Sequence, residues 1–239
     1  MSRFNPHPQV LSHLNVAITL NDVLKLIEPS GRHPQLIEIA EKTFGKVKTI
    51  WKPAAVYGWF EFQQTNSDPL LCSLKDTDSR SNISPGYAIK FLRHASHSLI
   101  SVYTAGHEFE LQSIKASSKG DFMEAYLIDL IGLLILKQTE QVIKKIAEKQ
   151  AQKLGWGVSP FLSPGSVKGW DIEDQTNLCS LLPLEQINVK IRNAVLSPFK
   201  TVSCLIGLGV AYKTIIVGST CEVCTKNHDC RMKLIQTIN

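Results

Sequence analysis

The sequence predicts an α+β fold. A helical pattern runs unbroken from about Asp121 to Lys153. Two stretches rich in strand formers, 55–62 and 99–104, come before it. Helices and strands are clustered and do not alternate as βαβ units.

The elements follow in order. The first 16 or so residues read as a frayed arm that orders on contact. Asn21 suits an N-cap, with Val23, Leu24, Leu26 and Ile27 as one apolar face, and Pro29-Ser30-Gly31 ends that helix. Pro34 fits the first position of a second helix, with Gly45 as its stop. Residues 1–48 therefore read as a helical N-terminal segment ahead of a main domain at 49–239. Residues 64–78 are polar and read as a loop or hairpin end. Pro85-Gly86 opens a short helix, and Ala105-Gly106 closes the strand at 99–104. The long helix would span about 50 Å. Its first half is apolar on nearly every side and should be buried. Its second half carries Lys144, Lys145, Lys149 and Lys153 and reads as a solvated face, with Glu140 and Lys144 as an i,i+4 pair. Beyond it come a turn at 163–166, a short helix at 171–182, and strand candidates at 187–191, 201–206 and 212–217.

Net charge is +5, from 26 basic and 21 acidic residues, and the basic residues are scattered. No nucleic-acid face is expected from that distribution. The longest apolar run, Tyr126 to Leu136, is interrupted by Asp129 and falls short of the ~20 residues a membrane span needs. The first twenty residues hold Pro6, His7, Pro8, His13 and Asn15, with no apolar leader core, so a cytoplasmic setting is expected. Disulfides are then not expected among the six cysteines.

The chemistry-bearing motif is Cys221-x2-Cys224-x5-Cys230. Two thiolates two residues apart can grip one ion from a single turn, and a third nearly completes a tetrahedral set. Soft thiolates select zinc, copper(I) or an iron–sulfur cluster. His228 inside the loop would give a Cys3His set, and Cys204 is a more distant fourth ligand. The plain alternative is three reduced thiols. Cys179 reads as a core cysteine. Asp129, alone in an apolar helix, requires a partner, whether structural or within a ligand site. Gly132 allows close helix packing. Tyr57, Trp59, Trp156 and Trp170 could line a flat pocket, although core packing is the usual fate of such residues. No GxGxxG, P-loop, HExxH or GxSxG motif is present.

The chain also resembles a known family. Phe161-Leu162-Ser163-Pro164-Gly165-Ser166 is followed by Trp170, Asp174-Gln175, Leu181-Leu182 and Ile187-Asn188-Val189. Ser197-Pro198-Phe199-Lys200-Thr201-Val202-Ser203 and the cysteine cluster with Arg231 complete the order. Upstream, Thr104-Ala105-Gly106 before a helix, Gly120-Asp121 and Asp129-Leu130-Ile131-Gly132 fit the same pattern. Over roughly residues 50–235 this is similar to small free-standing bacterial relatives of the activation domain of vitamin-B12-dependent methionine synthase. The resemblance implies a curved antiparallel sheet packed with long helices. It implies S-adenosylmethionine as the ligand, a cobalamin carried by a corrinoid methyltransferase partner, and an accessory role in reactivating that partner. It places a ligand cleft at Ser163, Pro164, Gly165 and Ser166, with Trp170 and Asp129 as further cofactor-site candidates. The family pattern Arg-x-x-Pro-Gly-Tyr is broken here. Phe161 stands at the arginine that would hold a methionine carboxylate, and Ser166 stands at the tyrosine. Phenylalanine cannot replace a bidentate carboxylate clamp. Lys168 and Arg192 are the candidate substitutes for that cation. A zinc- or Fe–S-bearing scaffold or electron carrier of the same fold is the alternative reading.

Overall fold

The computed structural model describes residues 4–12, 14–65, 68–76, 80–224, 230, 233 and 235. Three long antiparallel strands form its centre. β2 (Ala54–Gln64) lies between β3 (Cys72–Lys75) on one side and β5 (His97–Thr104) on the other. β5 in turn pairs with β9 (Thr201–Gly209), with Ser101 opposite Cys204. β4 (Arg80–Ile83) extends one edge, and β6 (Gly157–Val158) the other. β1 (Gln9–Leu11) adds to β2 at Ala55–Tyr57. The sheet is curled and the fold is α+β, as the sequence predicts.

Alternate residues of the central strands feed two cores, as a pleated strand buried on both faces requires. Ala55, Trp59, Leu99, Tyr103, Cys204 and Ile206 face the helices. Val56, Phe60, Ile100, Val102 and Leu205 face the opposite side, with Trp170, Leu178 and Cys179. The helical side is built from α1 (Leu20–Ile27), α2 (Pro34–Val47), α3 (His107–Ser118) and the 33-residue α4 (Phe122–Leu154). The other side carries α5 (Gln175–Cys179), 3-10 turns at 86–91 and 184–187, and a hairpin of β7 (Lys190–Arg192) and β8 (Val195–Ser197).

α4 matches its predicted span, and Gly155 ends it in the left-handed conformation. At Gly132 an added Cβ would lie 2.8 Å from the Phe109 ring, so α3 packs on α4 at van der Waals range. α1 starts one residue before Asn21. Its cap is a reciprocal box in which Asp22 N donates to Thr19 Oγ1 and Thr19 N donates to Asp22 Oδ2. Glu28 then fixes the turn into α2. Its carboxylate accepts hydrogen bonds from Ser30 Oγ and His33 Nδ1, which hold its pKa down at about 2.

Several expectations are corrected. α2 runs through Gly45 to Val47, because the buried Ala40, Thr43 and Val47 hold the last turn in the core. The N-terminal arm, expected to be either ordered on contact or frayed, is ordered at Gln9–Leu11, where it pairs with β2 as strand β1. The polar stretch after Gln64 returns as β3, whose Cys72, Ser73 and Leu74 are buried. Residues 187–191 divide between a 3-10 turn and β7, with Asn188 at φ 55° between them. The candidate strand at 212–217 does not form. Its β-branched residues favour a strand, but the β6 edge beside it is only two residues long, Val158 N donates to Thr214 O without a ladder, and Ile215 and Ile216 remain exposed. No helix among the described residues is long and apolar enough to cross a membrane.

Candidate functional site

The Pro-Gly turn and the cysteine segment, far apart in sequence, lie side by side. Leu162 bridges to Leu205 of β9, with Leu162 N donating to Leu205 O at 3.1 Å and Leu205 N returning a bond at 2.9 Å. The chain then turns through 163–166. Gly165 has φ 74°, and its N–H donates to Trp170 O at 2.8 Å. The cysteine segment covers this turn from outside. Phe161 N donates to Gly218 O at 3.1 Å, Thr220 Oγ1 donates to Phe161 O at 3.0 Å, and Cys224 bridges to Val167.

Phe161 points into the helical core. Its ring is fully buried and meets Tyr103 edge-on at 6.4 Å and 70°. Lys144 Nζ lies 5.5 Å from the ring centroid. The same ammonium is 2.6 Å from Glu140 Oε1, and the two side chains are 7% and 6% exposed. The pair of charges is thus desolvated inside the core. Glu140 Oε1 makes this ion contact but no directional hydrogen bond. Of the basic run on α4, Lys145, Lys149 and Lys153 are solvated as expected, whereas Lys144 is turned inward. Neither proposed substitute reaches Phe161. Lys168 and Arg192 are both exposed, and Lys144 is the cation at that position. The pair also acts on its neighbours. Burial, reinforced by the Glu140 charge, raises the Tyr103 and Cys204 pKa values well above their ordinary range.

Cys221 sits on a 3-10 turn capped by Ser219, whose Oγ accepts from Cys221 N at 3.1 Å. Cys221, Cys224 and Cys230 form no disulfide, and each is half-buried. Burial raises the Cys221 pKa, and the charges of Cys230 and Cys224 raise it further. Among the described residues, no three His, Cys, Asp or Glu side chains are arranged to hold a metal. His228 lies outside the described residues. Cys204 is fully buried in the sheet. Beside Cys224 opens a cavity of about 630 Å3, walled by Tyr87, Lys90, Phe91, Val167 and Lys168.

The other candidates are dispersed. Ser163 and Pro164 are buried, and Ser163 Oγ donates to Ser203 O at 2.8 Å. Gly165 and Ser166 are half-buried, and none of the four lines the cavity at Cys224. Trp170 is a core residue whose Nε1 donates to Asp174 Oδ2 at 2.8 Å. Asp129 is partly exposed. It pairs with Lys200 Nζ at 3.1 Å, accepts from Ser113 Oγ at 3.3 Å, and lines a separate cavity of about 170 Å3. Tyr57, Trp59 and Trp156 pack against the helical core with Phe4, while Trp170 belongs to the opposite core. Cys179 is buried, and its pKa is pushed up to about 12, chiefly by desolvation. Sequence reasoning missed the inward turn of Lys144. The signal was present: it follows Ile143 and lies one turn after Glu140, on the side of α4 that also carries Ala147 and Ala151.

No protein-family model and no curated protein matches the chain. A search of solved structures finds a likeness to the crystal structure of the MetH reactivation domain bound to AdoHcy. The two share 9% identity at a TM-score of 0.59, over 87% of this chain and 81% of that one. At this identity the likeness establishes the fold.

The pair makes a specific thermodynamic prediction. Lys144→Met leaves Glu140 as an unpaired buried charge and should cost roughly 3–5 kcal/mol in urea unfolding. The double variant Glu140→Leu/Lys144→Met should recover most of that loss. Equal destabilisation in both would mean that the charges are solvated and the pair is not a buried unit.

Proposed function

We propose that this chain is an accessory protein for a cobalamin-dependent methyltransferase such as methionine synthase, assisting its reactivation or methyl transfer by docking on it. The supporting observation is the fold likeness to the MetH reactivation domain, which extends over nearly the whole of both chains. That domain was crystallised with AdoHcy. In the present chain the position expected to clamp a methionine carboxylate is Phe161, buried against Tyr103 beneath an internally neutralised Lys144. A lysine already paired at 2.6 Å has little attraction left for a ligand carboxylate. The role therefore rests on partner docking, and S-adenosylmethionine is not the working ligand. The covering segment carries the thiols of Cys221, Cys224 and Cys230.

Calorimetric titration of the purified chain into a cob(II)alamin-loaded methionine synthase tests the docking. A saturable complex that changes the rate of return to the methylated form is the expected result. If neither that enzyme nor another corrinoid methyltransferase binds, the proposal is wrong.

A second reading takes the thiols as ligands. Soft thiolates at this spacing select soft cations, and the reading puts zinc or an iron–sulfur cluster on Cys221, Cys224 and Cys230, with His228 as the fourth ligand. Metal and acid-labile sulfide assays on anaerobically purified protein test it. One zinc, or iron with sulfide, should be present and should be lost in Cys221→Ser/Cys224→Ser. Metal-free protein with three titratable thiols would remove this reading and leave the docking proposal standing.

A further inference from the structure

A second cavity, of about 680 Å3, is built from other elements. On one wall are Lys52 and the start of α3, with His107 and Glu108. On the facing wall are Asn188, Lys190 and Ser197. The floor is apolar, made by Ala54 and Ile187. The backbone fixes both walls. Gly106 has φ 109°, and an added Cβ would stand 3.1 Å from both Lys52 N and Lys52 O, so the β5–α3 turn lies directly on the Lys52 backbone. Lys190 and Ser197 are register partners across the β7–β8 hairpin. Asn188, at φ 55°, directs the chain from the 3-10 turn into β7.

The charge at this cavity is unbalanced. Lys52, Lys190 and His107 face a single carboxylate, Glu108. Among the described residues, none of these four side chains makes a hydrogen bond or an ion pair, and neither do the side chains of Asn188 and Ser197. Two lysines from separate elements line one concavity, and their charges raise the positive potential there. Hydroxyl and amide donors stand beside them, and the apolar floor suits an organic body more than a bare ion.

We infer that this cavity binds a phosphorylated small molecule, with Lys52 and Lys190 taking the phosphate and Ala54 and Ile187 supporting its carbon skeleton. Phosphate carries the double charge that two lysines match, and its oxygens accept from the neighbouring Asn188 and Ser197. The inference stands on this cavity and is independent of the docking proposal.

Phenyl phosphate is the probe, titrated at low ionic strength and followed by phosphorus NMR and calorimetry. The full chain should bind it saturably. Lys52→Gln/Lys190→Gln should weaken binding at least tenfold with an unchanged unfolding midpoint in urea. Lys90→Gln/Lys168→Gln, which removes the same charge at the cavity beside Cys224, should leave the affinity intact. Absence of saturable binding overturns the inference. So does an equal loss in both double variants, which would reveal a general charge effect.

Discussion

A helix that is apolar on nearly every side has to be enclosed, and the rest of this molecule is arranged around that requirement. The first half of α4 buries Leu127, Ile128, Leu130, Ile131, Leu134, Ile135 and Leu136. One flat sheet face cannot cover such a cylinder. The sheet curls over one side of it, and α1, α2 and α3 close the others. Because the central strands are themselves buried on both faces, a second core must form behind them. The turn at 163–166, α5 and the β7–β8 hairpin supply that layer. The segment carrying Phe161 crosses between the two cores, sending Phe161 to one and Leu162 to the other.

The second half of α4 sets the chemistry of that crossing. Once Lys144 is drawn under the sheet, its charge needs a partner, and Glu140 on the preceding turn provides one. A phenylalanine at position 161 is then compatible with the packing: an aromatic ring accepts an ammonium over its face, while a guanidinium there would add a second cation with no matching charge. Phe161, Lys144 and Glu140 form one solution to burying this region. The cysteine segment is tied to it by Phe161 N donating to Gly218 O and by the Thr220 hydroxyl donating to Phe161 O, so the half-buried thiols belong to the same unit.

The parts of the fold governed by local signals were legible in the sequence. α4, the core of β2, β5 and β9, and the left-handed stop at Gly155 follow from periodicity, strand formers and glycine placement. Elements decided by distant partners were not. β3 is short and set among polar residues, and only its pairing with β2 makes it a strand. Residues 212–217 have strand composition, but the edge strand beside them, β6, is only two residues long, and Val158 N donates to Thr214 O without a ladder forming. The candidate site was legible as two motifs and not as one place, since no sequence feature joins Val167 to Cys224. Asp129 was correctly expected to have a partner. Its identity, Lys200, depends on where β9 begins, which α4 alone does not disclose.

Phe161, Lys144 and Glu140 fill from within the position expected to clamp a ligand carboxylate. Amide hydrogen exchange of the free chain, repeated with saturating AdoHcy, probes this packing. Slow exchange is expected at Leu162, Leu205 and the buried turns of α4, with no added protection at residues 161–167 or 217–224 when AdoHcy is present. Protection of those two segments by AdoHcy would contradict it, because it would mean that the site opens and takes the ligand.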